Sequence, residues 1–139
     1  MTTLKDIMTK DLTTVGSQAT IKDVAQKMKQ GDIGNVLLMD GDKLAGIVTD
    51  RDLVIRAVAD GQDSSAPVSS FATKDVFTMP SSTDVSAAAK AMAEKQLRRL
   101  PVTDGDTGKV VGIVSLADLS NRTDGNADKK ALEGISKPN

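Results

Sequence analysis

The chain has 139 residues and a net charge of −1 at pH 7, from 18 basic and 19 acidic residues. It contains no cysteine, histidine, tryptophan or tyrosine, and only two phenylalanines. The lack of histidine and cysteine removes the commonest general base and the commonest transition-metal ligands. The balanced charge argues against a nucleic-acid or anionic-membrane surface. We therefore expect a binding protein and not an enzyme, with no metal site and no nucleic-acid or membrane partner.

The N-terminal residues MTTLKDIMTKDL have no apolar region of the kind that a signal peptide requires. No window approaches the run of about 18 apolar residues of a membrane span. The absence of cysteine fits a reducing compartment. These features predict a cytoplasmic protein, formed of one domain of ordinary size or of two small units that share a core.

Residues 1–61 predict a first repeat that begins with a strand near residues 12–15. Thr20 can cap a helix whose apolar face comprises Ile21, Val24, Ala25 and Met28. The apolar run VLLM at 36–39, the turn residues DGD at 40–42 and LAGIV at 44–48 predict a β-hairpin. A second helix follows in DRDLVIRAVAD at 50–60, closed by Gly61.

Residues 62–70 form a polar segment that we interpret as a linker, and residues 71–122 repeat the first pattern. Asp84 can cap a helix with Val85, Ala88, Ala89 and Met92 on its apolar face. LPV at 100–102, DGD at 104–106 and VVGIV at 110–114 predict a second hairpin, and LADLSNR at 116–122 a short helix. Residues 123–139 are a polar tail with one short helical segment expected around 127–133.

The two halves are copies of one another. Alignment of residues 9–42 with 73–106, and of 43–53 with 109–119, pairs 45 positions, of which sixteen are identical. A unit of about 55 residues buries too little surface to be stable alone. We therefore expect an α/β fold with the order β-α-β-β-α twice, packed as a pseudo-twofold pair with a ligand cleft between the copies.

The segments GIVTDRD at 46–52 and GIVSLAD at 112–118 place a hydroxyl and an aspartate three residues apart, as Thr49 with Asp52 and Ser115 with Asp118. At the start of a helix, a hydroxyl can donate to a phosphate or sugar oxygen, and an aspartate can accept from a ribose diol. The alternative is purely structural, since the same residues can cap the helix and stabilise its first turn. The spacing leaves both interpretations open.

The repeated pattern G-h-V-[ST]-x-x-D (h, apolar), together with RRLPV at 98–102 and GIVTDRDL at 46–53, resembles the cystathionine-β-synthase (CBS) domain pair, or Bateman module. The resemblance covers residues 4–122, nearly the whole chain, and is to small stand-alone bacterial CBS proteins. It implies an adenine nucleotide or adenosyl ligand beside each [ST]-x-x-D motif.

The resemblance also implies which residues contact the ligands. A main site would combine residues of both copies, namely Thr49, Arg51, Asp52, Arg98, Arg99, Phe77, Thr78 and Pro80. A second, weaker site would combine Ser115, Asp118, Asn35, Thr13 and Thr14. Because the arginines belong to the main site in this scheme, we expect phosphates to bind there and the second site to be empty or selective for a less charged ligand.

The favoured function is a regulatory module that binds AMP, ADP or ATP and signals through a protein partner or through its own oligomeric state, which the resemblance implies is a homodimer. No cofactor is required, although Mg²⁺ could accompany ATP. The alternatives are a ligand-free dimerisation scaffold that retains the motifs, or a binder of NAD or S-adenosylmethionine. An enzyme is the weakest hypothesis because no histidine, cysteine or suitably placed lysine completes a nucleophile with its base.

Overall fold

The computed structural model describes residues 2–122, so the helical segment expected around residues 127–133 lies outside the described residues. The predicted order of elements is confirmed in both copies, with a short additional helix at the start. In chain order the elements are α1 (Leu4–Ile7), β1 (Thr14–Gly16), α2 (Ile21–Gly31), β2 (Asn35–Asp40), β3 (Lys43–Thr49), α3 (Asp50–Asp52) continued by a π-helix (Leu53–Val58), a 3₁₀-helix (Val68–Ser70), β4 (Met79–Pro80), α4 (Val85–Lys95), β5 (Arg99–Thr103), β6 (Val110–Ser115) and α5 (Leu116–Arg122).

The chain divides into two compact units whose boundaries are offset from those of the sequence repeat. The first unit is the continuous segment Leu12–Val76, and the second unit contains the chain up to Asp11 and from Phe77 onward. Each copy therefore supplies most of one unit, while its opening residues belong to the other unit. None of the helices between residues 2 and 122 is long and apolar enough to cross a membrane.

The first unit is a three-stranded sheet in the order β1-β2-β3, with β1 parallel to β2 and β2 antiparallel to β3. Helix α2 begins at Thr20, whose hydroxyl accepts a hydrogen bond from the Asp23 amide, and it buries Ile21, Val24 and Met28. Ala25, expected on the same face, is exposed. The apolar face is therefore narrower than predicted, because the stripe at positions 21, 24 and 28 is enough to cover the unit's core.

The second unit repeats this architecture with a sheet in the order β4-β5-β6. Helix α4 is capped by Asp84, which accepts from the Ser86 amide at 3.1 Å. All four predicted apolar positions of the helix are buried, with Ala88, Ala89 and Met92 fully inaccessible. The buried core also takes in Leu4 and Ile7 of α1, which precede the first copy's strand.

The glycine of each GIV segment packs against a chain segment that pairs with the edge strand of the sheet. In the first unit Thr73 pairs with Ile47, and in the second unit Thr9 pairs with Ile113. A Cβ atom on Gly46 would lie 3.0 Å from the Thr73 carbonyl oxygen and 3.1 Å from the Ala72 Cβ, and one on Gly112 would overlap the Met8 side chain. The threonine that begins each TKD segment, at 9–11 and 73–75, thus pairs with a strand of the other copy.

The segment interpreted as a linker is folded against the first unit. Val68 is fully buried and its amide donates to the Ala19 carbonyl at 2.9 Å. The Ile21 amide donates to the Ala66 carbonyl at 3.0 Å. Phe71 is buried in the same core. Residues 66–72 therefore complete the core of the first unit.

We expect Gly46→Ala to destabilise the protein by about 1–3 kcal/mol, because the added methyl group would meet backbone that must shift. Gly112→Ala should cost less, since the flexible Met8 side chain can move. Gly16→Ala is the matched control, because no atom lies within 4 Å of its Cβ position. Urea denaturation of the three variants measures the differences, and equal stabilities would contradict the close approach.

Candidate functional site

The Thr49–Asp52 motif is a capping box at the junction of β3 and α3. The Thr49 amide donates to Asp52 Oδ2 at 2.9 Å, and the Asp52 amide donates to Thr49 Oγ1 at 3.1 Å. Both residues are half-buried. The other carboxylate oxygen, Asp52 Oδ1, lies 3.8 Å from Arg56 Nε, which is an ion pair longer than a hydrogen bond.

The Ser115–Asp118 motif has the same geometry at the junction of β6 and α5. The Ser115 amide donates to Asp118 Oδ2 at 2.8 Å, and the Asp118 amide donates to Ser115 Oγ at 3.1 Å. Both residues are again half-buried. The structural role that the spacing allowed is therefore present in both copies, and it fixes one oxygen of each aspartate toward the backbone.

Two further helices begin with the same box. The Thr3 and Thr20 amides each donate to the aspartate three residues later, at 2.9 Å. In both cases the hydrogen bond from this backbone amide holds the pKa of the carboxyl, Asp6 or Asp23, below its usual value. These aspartates are exposed. The hydroxyl–aspartate spacing is thus not specific to a ligand site, and only the two boxes at strand ends have half-buried carboxylates.

Each half-buried box has a neighbouring strand beside it, and the residues of that strand differ between the copies. In the first unit Asn35 pairs with Thr49, and the Asp50 amide donates to the Gly34 carbonyl at 3.0 Å. We call Gly34, Asn35 and Thr49–Asp52 the first strand end. In the second unit Arg99 pairs with Ser115, and the Leu116 amide donates to the Arg98 carbonyl at 3.1 Å. Arg98, Arg99 and Ser115–Asp118 are the second strand end.

The structure places the predicted contact residues in both units. Thr49, Arg51 and Asp52, with Asn35, Thr13 and Thr14, lie in the first unit, and the remaining seven residues lie in the second. Within the second unit, Ser115 on β6 pairs with Arg99 on β5. The sheet that holds Ser115 therefore also holds a positively charged side chain. The combination of Arg98 and Arg99 with Asp52, and of Asn35 with Asp118, joins residues of different units and stays a prediction.

The strand residues expected at the ligand's base are partly accessible. Phe77 and Thr78 are half-buried and Pro80 is exposed, and the Lys95 ammonium lies 4.7 Å from the centre of the Phe77 ring. In the first unit the Thr13 carbonyl accepts from the Leu37 amide, so this group serves the sheet. Thr14 lines a surface groove of about 460 Å³ beside α2, together with Val15, Gly16, Ala19, Asp23, Gln26, Lys27 and Gln30. No residue of the two half-buried boxes lines this groove.

Three charged residues near the motifs were not singled out by the sequence. Arg56 reaches both Asp52 and the Phe71 carbonyl, at 3.8 and 3.5 Å. Its position four residues after the aspartate, on the same helical face, was a usable signal. Lys95 on Phe77 and the carboxylate of Asp50 beside Gly34 arise from folding across loops, which spacing alone does not indicate.

Among known protein families, the CBS domain matches the chain twice, over residues 4–58 and 68–124. The chain belongs to the CBS-domain family. It is 35% identical over 140 residues to the CBS domain-containing protein YhcV of Bacillus subtilis, a match that spans 100% of this chain and 99% of the relative. The two matches coincide with the two copies of the repeat, so the protein is a CBS pair.

Solved structures agree with this assignment. Hypoxic Response Protein I, whose curated counterpart is from Mycobacterium tuberculosis, is 34% identical, with a TM-score of 0.77 over 88% of this chain and 100% of that one, and was solved with two coordinated zinc ions. The CBS domain pair of protein MJ0100, solved with 5′-methylthioadenosine and S-adenosyl-L-methionine, is 30% identical, with a TM-score of 0.76 over 86% of this chain and 94% of that one.

The two zinc ions are a property of the first of these structures. The chain has no histidine or cysteine, which are the usual zinc ligands. Within residues 2–122 no three aspartates or glutamates are grouped so that they could hold a metal ion. The chemistry that the two strand ends offer is therefore hydrogen bonding and charge.

Removal of the motif hydroxyl should cost stability whether or not a ligand binds. We expect Thr49→Ala and the matched control Thr20→Ala each to lower the free energy of unfolding by about 1 kcal/mol, since each loses the side-chain acceptor of its box. Thr49→Ser should retain most of the stability. Urea denaturation provides the measurement, and an unchanged Thr49→Ala variant would show that this box does not hold the helix start.

Proposed function

We propose that this CBS pair is a regulatory module that binds an adenosine-containing ligand, with an adenine nucleotide as the main ligand. The observation that carries the proposal is the pair of half-buried aspartates at the strand ends, each held by a box that engages one carboxylate oxygen. The methylthioadenosine and S-adenosylmethionine of the MJ0100 pair support an adenosyl ligand. The chain acts by binding and carries out no chemical reaction in this proposal.

The capping box makes Asp52 a preorganised acceptor for ribose. Its Oδ2 is fixed by the Thr49 amide, while Oδ1 is 3.8 Å from the nearest arginine nitrogen of the ion pair. A ribose hydroxyl can donate to Oδ1 without breaking the box, at a position that is already ordered before the ligand arrives. The side chain of Asp52 is only 14% accessible, so the hydrogen bond forms in a partly desolvated environment where it is stronger.

In this proposal, the ligand sites use residues of both units, as the family resemblance implies. Thr49, Arg51 and Asp52 bind the sugar and phosphate together with Arg98 and Arg99, and the segment Phe77–Pro80 contacts the base. Ser115 and Asp118, with Asn35, Thr13 and Thr14, form the second site. Mg²⁺ would accompany ATP through its phosphates, because the chain itself provides no dedicated ligands in this scheme.

The proposed output is a change in self-association or in the binding of a partner protein. Val54, Ile55 and Val58 of the π-helix are exposed by 59%, 49% and 67%. Exposed apolar side chains grouped on one helix favour a protein interface, and we propose a second copy of the chain as its occupant. Arg56 lies in the same helix and contacts Asp52, so a ligand on Asp52 can alter the helix that carries this surface.

A scaffold without a ligand is the second candidate function, and the capping boxes favour it. They account for the recurrence of the hydroxyl and the aspartate without any bound molecule. The two functions differ in one measurable property, namely whether adenosyl ligands bind to the half-buried aspartates.

We expect AMP or ATP to bind saturably to the wild-type protein in isothermal titration calorimetry, with Asp52→Asn weakening binding at least about ten-fold. An asparagine can still accept from the Thr49 amide, so the box persists while the charged acceptor for ribose is lost. Asp23→Asn is the matched control, since it makes the same change in an exposed box of the same unit.

This titration requires protein freed of copurified nucleotide. Ultraviolet absorbance detects remaining nucleotide sensitively, because the chain has no tryptophan or tyrosine. Equal affinity of wild type and Asp52→Asn would refute the role of Asp52. No binding of AMP, ATP, methylthioadenosine or S-adenosylmethionine would favour the scaffold.

The double substitution Val54→Ser and Val58→Ser should shift the protein from dimer to monomer in sedimentation-velocity experiments. The change removes apolar area that the second copy would cover, without adding charge. Val110→Ser, which alters a half-buried valine of β6 in the second unit, serves as a control for general destabilisation. A monomeric wild-type protein, or a double variant that stays dimeric, would contradict this interface.

A further inference from the structure

The two strand ends are equivalent in fold but opposite in charge. The first strand end contains two aspartates, Asp50 and Asp52, and one arginine, Arg51, which gives a net charge of −1. The second contains one aspartate, Asp118, and two arginines, Arg98 and Arg99, which gives +1. Since both ends share the same box and strand pairing, the difference lies in side chains and not in the backbone.

The carboxylate of Asp50 occupies the space that a larger residue at position 34 would fill. Its Oδ2 would lie 3.3 Å, and its Oδ1 3.5 Å, from a Cβ atom on Gly34. Oδ1 also accepts a hydrogen bond from the Arg51 amide at 2.8 Å, and the Asp50 amide is bonded to the Gly34 carbonyl. The backbone bond therefore places Asp50 against the neighbouring strand, and the bond from the Arg51 amide holds its carboxylate there beside Gly34.

The second copy has none of this arrangement in its sequence. Position 34 corresponds to Arg98 and position 50 to Leu116. The second copy therefore has Arg98 and Leu116 where the first copy has Gly34 and Asp50. Where the second strand end presents two guanidinium groups, the first presents a fixed carboxylate beside the half-buried Asp52.

We infer that Asp50 is a specificity-determining residue that weakens the preference for phosphate of the site built on Thr49 and Asp52, and so raises its relative affinity for an adenosyl ligand with no net negative charge. The inference rests on the proposed function, because it concerns the choice among ligands of the same sites. A fixed carboxylate repels a phosphate dianion and attracts a sulfonium or ammonium group through the same field. Adenine and ribose are common to all these ligands, so the charge of the remaining group is what Asp50 can discriminate.

Three adenosyl ligands of different charge test the inference. AMP carries about two negative charges, 5′-methylthioadenosine is neutral, and S-adenosylmethionine carries a positive sulfonium. In Asp50→Asn we expect AMP to bind about five-fold more tightly at fixed ionic strength, methylthioadenosine to change less than about two-fold, and S-adenosylmethionine to bind a few-fold more weakly. Calorimetry with the purified full-length chain gives the three dissociation constants.

Asp50→Leu introduces the residue that the second copy has at this position. It should change the three dissociation constants in the same directions, which shows that the effect does not depend on the asparagine side chain. Asp60→Asn is the matched control, because it removes an equal charge from an exposed position outside both strand ends. Circular dichroism checks that each variant is folded. Equal changes for all three ligands, or no gain for AMP in either variant, would overturn the inference while leaving the proposed function intact. Failure of every ligand to bind the wild-type protein would overturn both.

Discussion

The close approach of one chain segment to each sheet is the constraint on which this fold depends. Thr73 pairs with Ile47 above Gly46, and Thr9 pairs with Ile113, where the Met8 side chain packs on Gly112. A side chain would meet the Thr73 backbone at Gly46 and would displace the Met8 side chain at Gly112, so packing favours glycine as the first letter of both GIV segments. The same segments carry Phe71 and Leu4 into the two cores. Each sheet therefore lacks part of its cover until the opening residues of a repeat are in place.

The same capping box serves four helices, and its surroundings decide what else it can do. At α1 and α2 the aspartates are exposed, and the box only starts a helix. At the strand ends the aspartates are half-buried, and the residue paired with the hydroxyl of the box differs between the copies, being Asn35 in the first and Arg99 in the second. A single local motif thus supplies both helix stability and a preorganised acceptor, with burial and neighbouring charge separating the two roles.

Much of the fold could be predicted from the repeat, because substitutions such as Ile21 to Val85 preserve apolar periodicity. The pairing of Thr9 with one sheet and of Thr73 with the other could not be predicted, since a three-residue segment does not indicate which sheet it joins. The exposure of Ala25 depends on how wide a stripe the sheet covers. At the candidate site, the hydroxyl–aspartate pairs were visible in the sequence, whereas the carboxylate of Asp50 against Gly34 appears only when the strand and the helix start are brought together.

Because the units are offset from the repeats, they can fold at different times while a ribosome makes the chain. The first unit, Leu12–Val76, is continuous, so all of its pairings lie within one uninterrupted stretch and it can form before the rest of the chain is made. The second unit joins residues up to Asp11 to strands made last, and its opening segment must stay unpaired while the whole first unit is synthesised. Contacts between distant residues are slow to form because loop closure costs entropy. Leu4 and Ile7 of α1 therefore stay without their core partners until the strands of the second unit have been made.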